Sequence, residues 1–229
     1  MKYILLILFV STLLSQSKYP VDTLVQSTKI NILKKIGLLP ISMWQRISYN
    51  SNYFNCQFYP SCSNYCANAI KQYGILKGTV IGSERITRCN PFAIYYHMEL
   101  DRPFYEEDGR LIDFISQNQN IETKKSPAFA SIISILPGAG RAYAGRKLDG
   151  IMGLWTVYLT SSSAIYAHKN KNLILGPFLV GFAGITYFGE IYGAWRTAKY
   201  YQKLEDGNIW FTKKCELLTN FIPMKFAST

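Results

Sequence analysis

Two stretches in the C-terminal half, Gly150 to Ala167 and Asn172 to Gly189, contain no Asp, Glu, Lys or Arg. Each runs for about 18 residues, close to the length a helix needs to cross a bilayer. Between them lies the polar turn His168-Lys169-Asn170-Lys171. Apolar surface on this scale needs lipid or the rest of the protein to cover it, and two spans joined by a polar turn make a hairpin. The sequence therefore predicts a multi-pass membrane protein with a transmembrane helical hairpin inside residues 127–202.

Composition agrees with two solvents. Hydrophobic residues make up 48% of the chain and charged residues 17%, against about 25% charged in ordinary soluble domains. The net charge of +11 suits anionic membrane lipids. No zinc-finger, RNP or helix-turn-helix pattern accompanies it, so no nucleic-acid partner is predicted.

The chain opens with Met1, Lys2, an apolar run from Tyr3 to Leu14 and then Ser15-Gln16-Ser17, the layout of a signal peptide or N-terminal anchor over residues 1–17. Residues 18–39 form an amphipathic lead-in, with Leu24, Ile30, Ile32, Leu33 and Ile36 set against Lys29, Lys34 and Lys35, and a helix end near Gly37. Farther on, Cys62, Tyr65, Cys66, Ala69, Ile70 and Tyr73 recur at helical spacing up to Gly74. A second helix is expected from Ile75 to Arg88, ending before Asn90-Pro91 because the residue preceding a proline is pushed out of the helical region. Residues 99–126 read as a polar surface connector with one short helix, Arg110 to Gln117, and residues 203–229 as a basic, aromatic tail. The predicted class is all-α.

On the second helix Lys77, Ile81, Arg85 and Arg88 share a stripe. Lys77, Arg85 and Arg88 are the candidate binding residues, a basic face for lipid headgroups or an acidic partner. The same spacing also permits a plain Glu84–Arg88 ion pair on a solvated face.

The segment from Cys56 through Phe58, Tyr59, Pro60, Cys62 and Tyr65, then Gly74 and Gly78, then Arg85-Ile86-Thr87-Arg88-Cys89-Asn90-Pro91-Phe92, resembles the YidD family. Trp44-Gln45-Arg46-Ile47-Ser48 resembles that family's lead-in, and the likeness covers residues 40–98. Asn90 stands where the family usually has His, the usual Gly-Gly-x-Asp-Pro-Val-Pro close is absent after Phe92, and Cys66 is an extra cysteine. The resemblance implies a small helper at the bacterial inner membrane. It would promote insertion of nascent membrane proteins near the Sec translocon and the YidC insertase, with no catalytic residues and no cofactor. The alternative is a structural or lipid-binding envelope protein that reuses the module.

Other motifs are weighed against that frame. Cys56, Cys62, Cys66 and Cys89 are spaced more widely than the paired cysteines of a zinc site, so no metal is predicted. Outside the cytoplasm a disulfide from Cys89 to Cys56 or Cys62 is plausible chemistry; in a reducing compartment the thiols act as small hydrophobes. Pro137-Gly138-Ala139-Gly140-Arg141-Ala142-Tyr143-Ala144-Gly145 lacks the Gly-Lys-Ser/Thr of a nucleotide loop. It resembles the interfacial turn of small two-helix membrane domains, with Arg141, Arg146 and Lys147 expected at headgroups. Gly189 and Gly193 offer a face for another helix and hence for oligomers, while Glu190 is placed to snorkel or to pair with Arg196. His97, Glu99 and Asp101 alternate as on a strand, and no catalytic constellation can be assembled. A secretory signal places the YidD-like domain outside the cytoplasm, although the positive-inside rule pulls the other way.

Overall fold

A computed structural model describes residues 19–51, 55–115 and 125–201. The expectations for the N-terminal signal and for the tail after residue 202 lie outside the described residues. The chain is mostly helical, as predicted, with one two-stranded parallel ladder.

Helix α1 (Pro20–Gln26) leads into α2 (Ile32–Ser48), which Asn31 caps by accepting the Leu33 amide at 3.2 Å. The predicted end near Gly37 is corrected, because α2 continues through Pro40. Proline deletes one ladder hydrogen bond, but tertiary contacts hold the helix on both sides of it. Leu38 is fully buried, and the Gln45 side chain accepts the Val21 amide at 3.1 Å and donates to Asn64 at 2.8 Å and Ser63 at 3.0 Å. Asp22 anchors the same corner, accepting from Ser42 at 2.6 Å and from Arg46 at 2.8 Å.

Strand β1 (Phe58–Tyr59) precedes α3 (Cys62–Tyr73), which turns at Gly74 into α4 (Ile75–Arg88), the predicted helix hairpin with its predicted bounds. Close contact of the two helices requires glycine at position 78, where an added Cβ would fall 2.5 Å from the Ile70 backbone nitrogen. Backbone cannot move aside as a side-chain tip can.

Helix α5 (Ala93–Glu99) corrects the strand-like reading of His97, Glu99 and Asp101. His97 and Glu99 are buried within or at the end of that helix, and the His97 ring bonds the Pro103 carbonyl at 2.9 Å. The connector is corrected as well. Its expected helix is an extended segment over the described residues, with β2 (Leu111–Ile112) pairing in parallel with β1 in the register Phe58↔Leu111. Burial of Leu111 beside Phe58 and Ala93, and amide bonds from Leu111 to Gln57 and from Asp113 to Tyr59, outweigh the local helical pattern.

Helices α6 (Pro127–Ile133) and α7 (Ala139–Tyr143) lead to α8 (Lys147–Lys169) and α9 (Leu175–Tyr200), which form the expected hairpin. No described helix is long and apolar enough to cross a membrane, so the transmembrane, multi-pass expectation is not supported by the described residues. The apolar runs are diluted by Thr156, Thr160 and Ser161 to Ser163 on α8, and by glycines and Glu190 on α9. The lower part of the hairpin is packed against α4, α6 and α7, while Trp155, Leu159, Phe178 and Phe182 remain exposed.

Candidate functional site

Two constructions occupy the junction of these elements. The first is a buried charge network where α4 meets α9. Asp113, just after β2, accepts from Arg85 at 2.5 Å, from Arg88 at 2.8 Å and from Arg196 at 3.2 Å, with Arg102 at 3.8 Å. Glu84 pairs with Arg88, one turn away, and lies 3.6 Å from Arg141. Arg141 in turn donates to Glu190 at 2.8 Å, and Arg146 pairs with Asp149 at 2.5 Å.

A lone buried charge is severely unfavourable, so each group is held by its neighbours. Burial alone would raise the Asp113 pKa, but Arg88, Arg196 and Arg85 outweigh it and keep the carboxyl well below its usual 3.8. At Glu84 burial is likewise outweighed by Arg88, Arg196 and Arg141, which lower it from 4.5 to about 2.

The predicted binding stripe is therefore divided. Lys77 is exposed, its ammonium 4.7 Å from the centre of the Tyr73 ring. Arg85 and Arg88 are buried and ion-paired, which corrects the basic lipid face at those two positions. Ile81 was the available signal, since a buried isoleucine on the stripe between Lys77 and Arg85 marks a face turned toward protein. Arg141 and Arg146, expected at headgroups, are buried too, and Glu190 pairs with Arg141 rather than with Arg196. The Gly189 and Gly193 face is occupied from within the chain: a Cβ at Gly189 would meet Ser83 Oγ at 2.5 Å, and one at Gly193 would meet Arg141 Nη2 at 2.0 Å. The oligomer expected from that face is corrected accordingly.

Sequence reasoning missed Asp113 altogether, because it sits in a polar segment without periodicity. It also missed Asn90, whose amide donates to Asp149 at 2.8 Å and to the Thr87 carbonyl at 3.0 Å.

The second construction is a cluster of thiols. Cys56 precedes β1, Cys62 opens α3 and Cys89 closes α4. Their sulfurs all lie within 4.8 Å of one another, as free thiols. Cys66 stands apart, with its sulfur over Gly82. The other motif residues build the scaffold. Phe58 lies beneath the Arg85 guanidinium at 3.9 Å, Tyr59 stacks on Tyr105 at 3.9 Å, and the Pro60 carbonyl accepts from Arg85 at 3.2 Å. Tyr65 is fully buried, with Arg85 4.5 Å from its ring centre, whereas Pro91 and Phe92 are exposed. Beside the thiols an apolar groove of about 580 Å³ runs past Pro40, Ile41, Trp44, Ile86 and Phe182.

A helix hairpin closed by a parallel two-residue ladder, with arginines turned inward and three thiols at its rim, defines a small helical module rather than an enzyme cleft. A family described as "YidD: Putative membrane protein insertion efficiency factor" matches residues 33–97. A relative of that name from Legionella pneumophila (strain Lens) is 42% identical over 66 residues, covering 28% of this chain and 82% of the relative. The namesake from Thermoanaerobacter pseudethanolicus is 42% identical over 60 residues, 26% of this chain and 87% of the relative. That from Aquifex aeolicus is 38% identical over 60 residues, 26% of this chain and 88% of the relative. This chain belongs to the YidD family. No solved structure matches it.

Proposed function

We propose that this chain raises the efficiency with which other proteins enter the membrane, as the name of its relatives states, and that it does so as a binding protein without catalysis. The observation that carries this reading is the apolar groove. Trp44 and Ile41 of α2, Ile86 of α4 and Phe182 of α9 line one concavity, so the family module and the hairpin contribute to the same surface. Trp44 is 47% and Ile86 59% exposed, large side chains at the surface of the groove. A nascent apolar segment seated there gains on the order of 1.5–3 kcal/mol for each large side chain it removes from water.

The hairpin's uncovered Trp155, Leu159 and Phe178 are the natural contact with lipid acyl chains, holding the groove at the bilayer where such segments arrive. Lys77 adds a cation for anionic headgroups. The partners in this reading are nascent membrane proteins, with the Sec translocon and the YidC insertase as the machinery beside which they emerge.

The test is site-specific photo-crosslinking during synthesis of a multispanning protein, with the reactive residue at Trp44 or Ile86 and, as an off-groove control, at Lys77. Crosslinks to the nascent chain from the groove positions alone, together with slower insertion on depletion of this protein, are expected. Crosslinks to lipid only, with insertion unaffected by depletion, would replace the reading with a structural or lipid-binding role.

A further inference from the structure

We infer that Cys56, Cys62 and Cys89 form a three-thiolate binding site for a thiophilic divalent metal ion, with zinc as the ion that suits it. Tetrahedral zinc with thiolates at about 2.3 Å places the sulfurs about 3.8 Å apart. Here Cys56 and Cys62 sulfurs are 3.4 Å apart, and all three lie within 4.8 Å.

The surroundings offer hydrogen-bond donors to two of the sulfurs. The Cys62 amide, at the start of α3, donates to the Cys56 sulfur at 3.2 Å. Gln57 Nε2 lies 3.8 Å from the Cys89 sulfur while also donating to the Asn90 carbonyl at 2.8 Å, an outer contact that fixes its direction.

A disulfide would use two of these sulfurs and strand the third against the bridge, whereas a metal uses all three. The three come from separate places, ahead of β1, at the start of α3 and at the end of α4, so an ion there would staple the ladder to both helices of the hairpin. The wide spacing in sequence, which argued against zinc, reflects only that the fold gathers single cysteines from three elements. The fourth position opens toward the groove, whose lining includes all three cysteines, and takes water. Each coordinating thiol releases its proton to solvent, so binding weakens as pH falls.

The experiment uses the full chain purified anaerobically, exposed to equimolar zinc, freed of loose ion by dialysis and assayed by elemental mass spectrometry. Cobalt substitution serves as an optical reporter. About one zinc per chain is expected, with intense thiolate-to-cobalt charge-transfer absorption and protection of these three cysteines from alkylation. Cys56→Ser and Cys89→Ser should lose stoichiometric zinc, while Cys66→Ser, in the same module but outside the cluster, keeps it. Should a variant misfold, the wild-type cobalt spectrum and the peptide-resolved alkylation pattern decide alone. Absence of bound zinc in the wild type, equal zinc in Cys56→Ser, or cobalt without thiolate charge transfer would overturn the site. Metal content is read without any insertion assay, so this result stands or falls independently of the proposed function.

Discussion

Replacing Asp113 by asparagine removes one negative charge from a point on which Arg85, Arg88, Arg196 and Arg102 converge. The loss is unevenly distributed. Arg88 retains Glu84, at 3.0 Å through its second nitrogen, whereas Arg85 and Arg196 keep carbonyl and aromatic partners but no other carboxylate ion pair among the described residues. Breaking a buried pair by removing one partner costs about 3–5 kcal/mol, because the other charge stays behind unneutralised. Asp113 is fully buried, so solvent screening does not reduce that figure. Against a total stability of about 5–15 kcal/mol, Asp113→Asn is expected to remove about a fifth or more of the stability. Urea unfolding of the purified chain, followed by circular dichroism, measures it. The control is Asp108→Asn, whose pair with Arg110 has side chains 31% and 41% exposed and should change stability by less than about 1 kcal/mol. Adding Arg196→Gln to Asp113→Asn removes one of the stranded charges. The double variant should then be less destabilised than the sum of the singles, with a coupling of about 0.5–3 kcal/mol. A loss below about 1 kcal/mol for Asp113→Asn, or strict additivity with Arg196→Gln, would refute the claim that this carboxylate neutralises the junction.

The depressed carboxylates also set an acid limit. Both fold with pKa values below their unfolded ones, so their contribution is complete above about pH 4.5 and should fall as Glu84 is titrated from 4.5 toward about 2; urea midpoints against pH measure this, and a flat profile down to pH 3 would contradict it. Gly193→Ala pushes a methyl into the fully buried Arg141 guanidinium and should cost about 1–3 kcal/mol, while Gly181→Ala, with nothing within 4 Å, should be neutral or slightly stabilising; the thermal midpoints of the pair test it. Asn90→Ala deletes the amide that Asp149 accepts and should destabilise by about 1–3 kcal/mol in the same denaturation assay.

What could be read from the sequence follows from the range of the interactions involved. The α3–α4 hairpin was legible because its signals are local: a 3.6-residue apolar period, a glycine at the turn and a proline just past its end. The connector was not. Its Leu111 and Asp113 take their places through Phe58, Tyr59 and three arginines far away in the chain, none of which leaves a mark on the local pattern. Arg85 and Arg88 misled for the same reason, since a charged side chain reads as solvated until its partners from other segments are in view. The uncharged stretches identified the hairpin correctly as a pair of helices. They overstated its apolarity, because glycine, serine and threonine carry no charge yet add little to partition into lipid. The cysteines were legible as a motif but not as a cluster, since three single residues on three elements have no spacing rule.

The charge network has an order in time as well as in space. Arg88 leaves the ribosome 25 residues ahead of Asp113, and Arg196 follows Asp113 by 83. Arg141 must wait another 49 residues for Glu190. During vectorial synthesis Arg85 and Arg88 therefore meet Glu84 and Asp113 first, while Arg141 waits for α9 to bring Glu190. The junction closes only when α9 arrives with Glu190 and Arg196. A stalled intermediate lacking α9 should consequently behave as a different object from the finished protein, with no Glu190 to pair Arg141 and its final packing unmade.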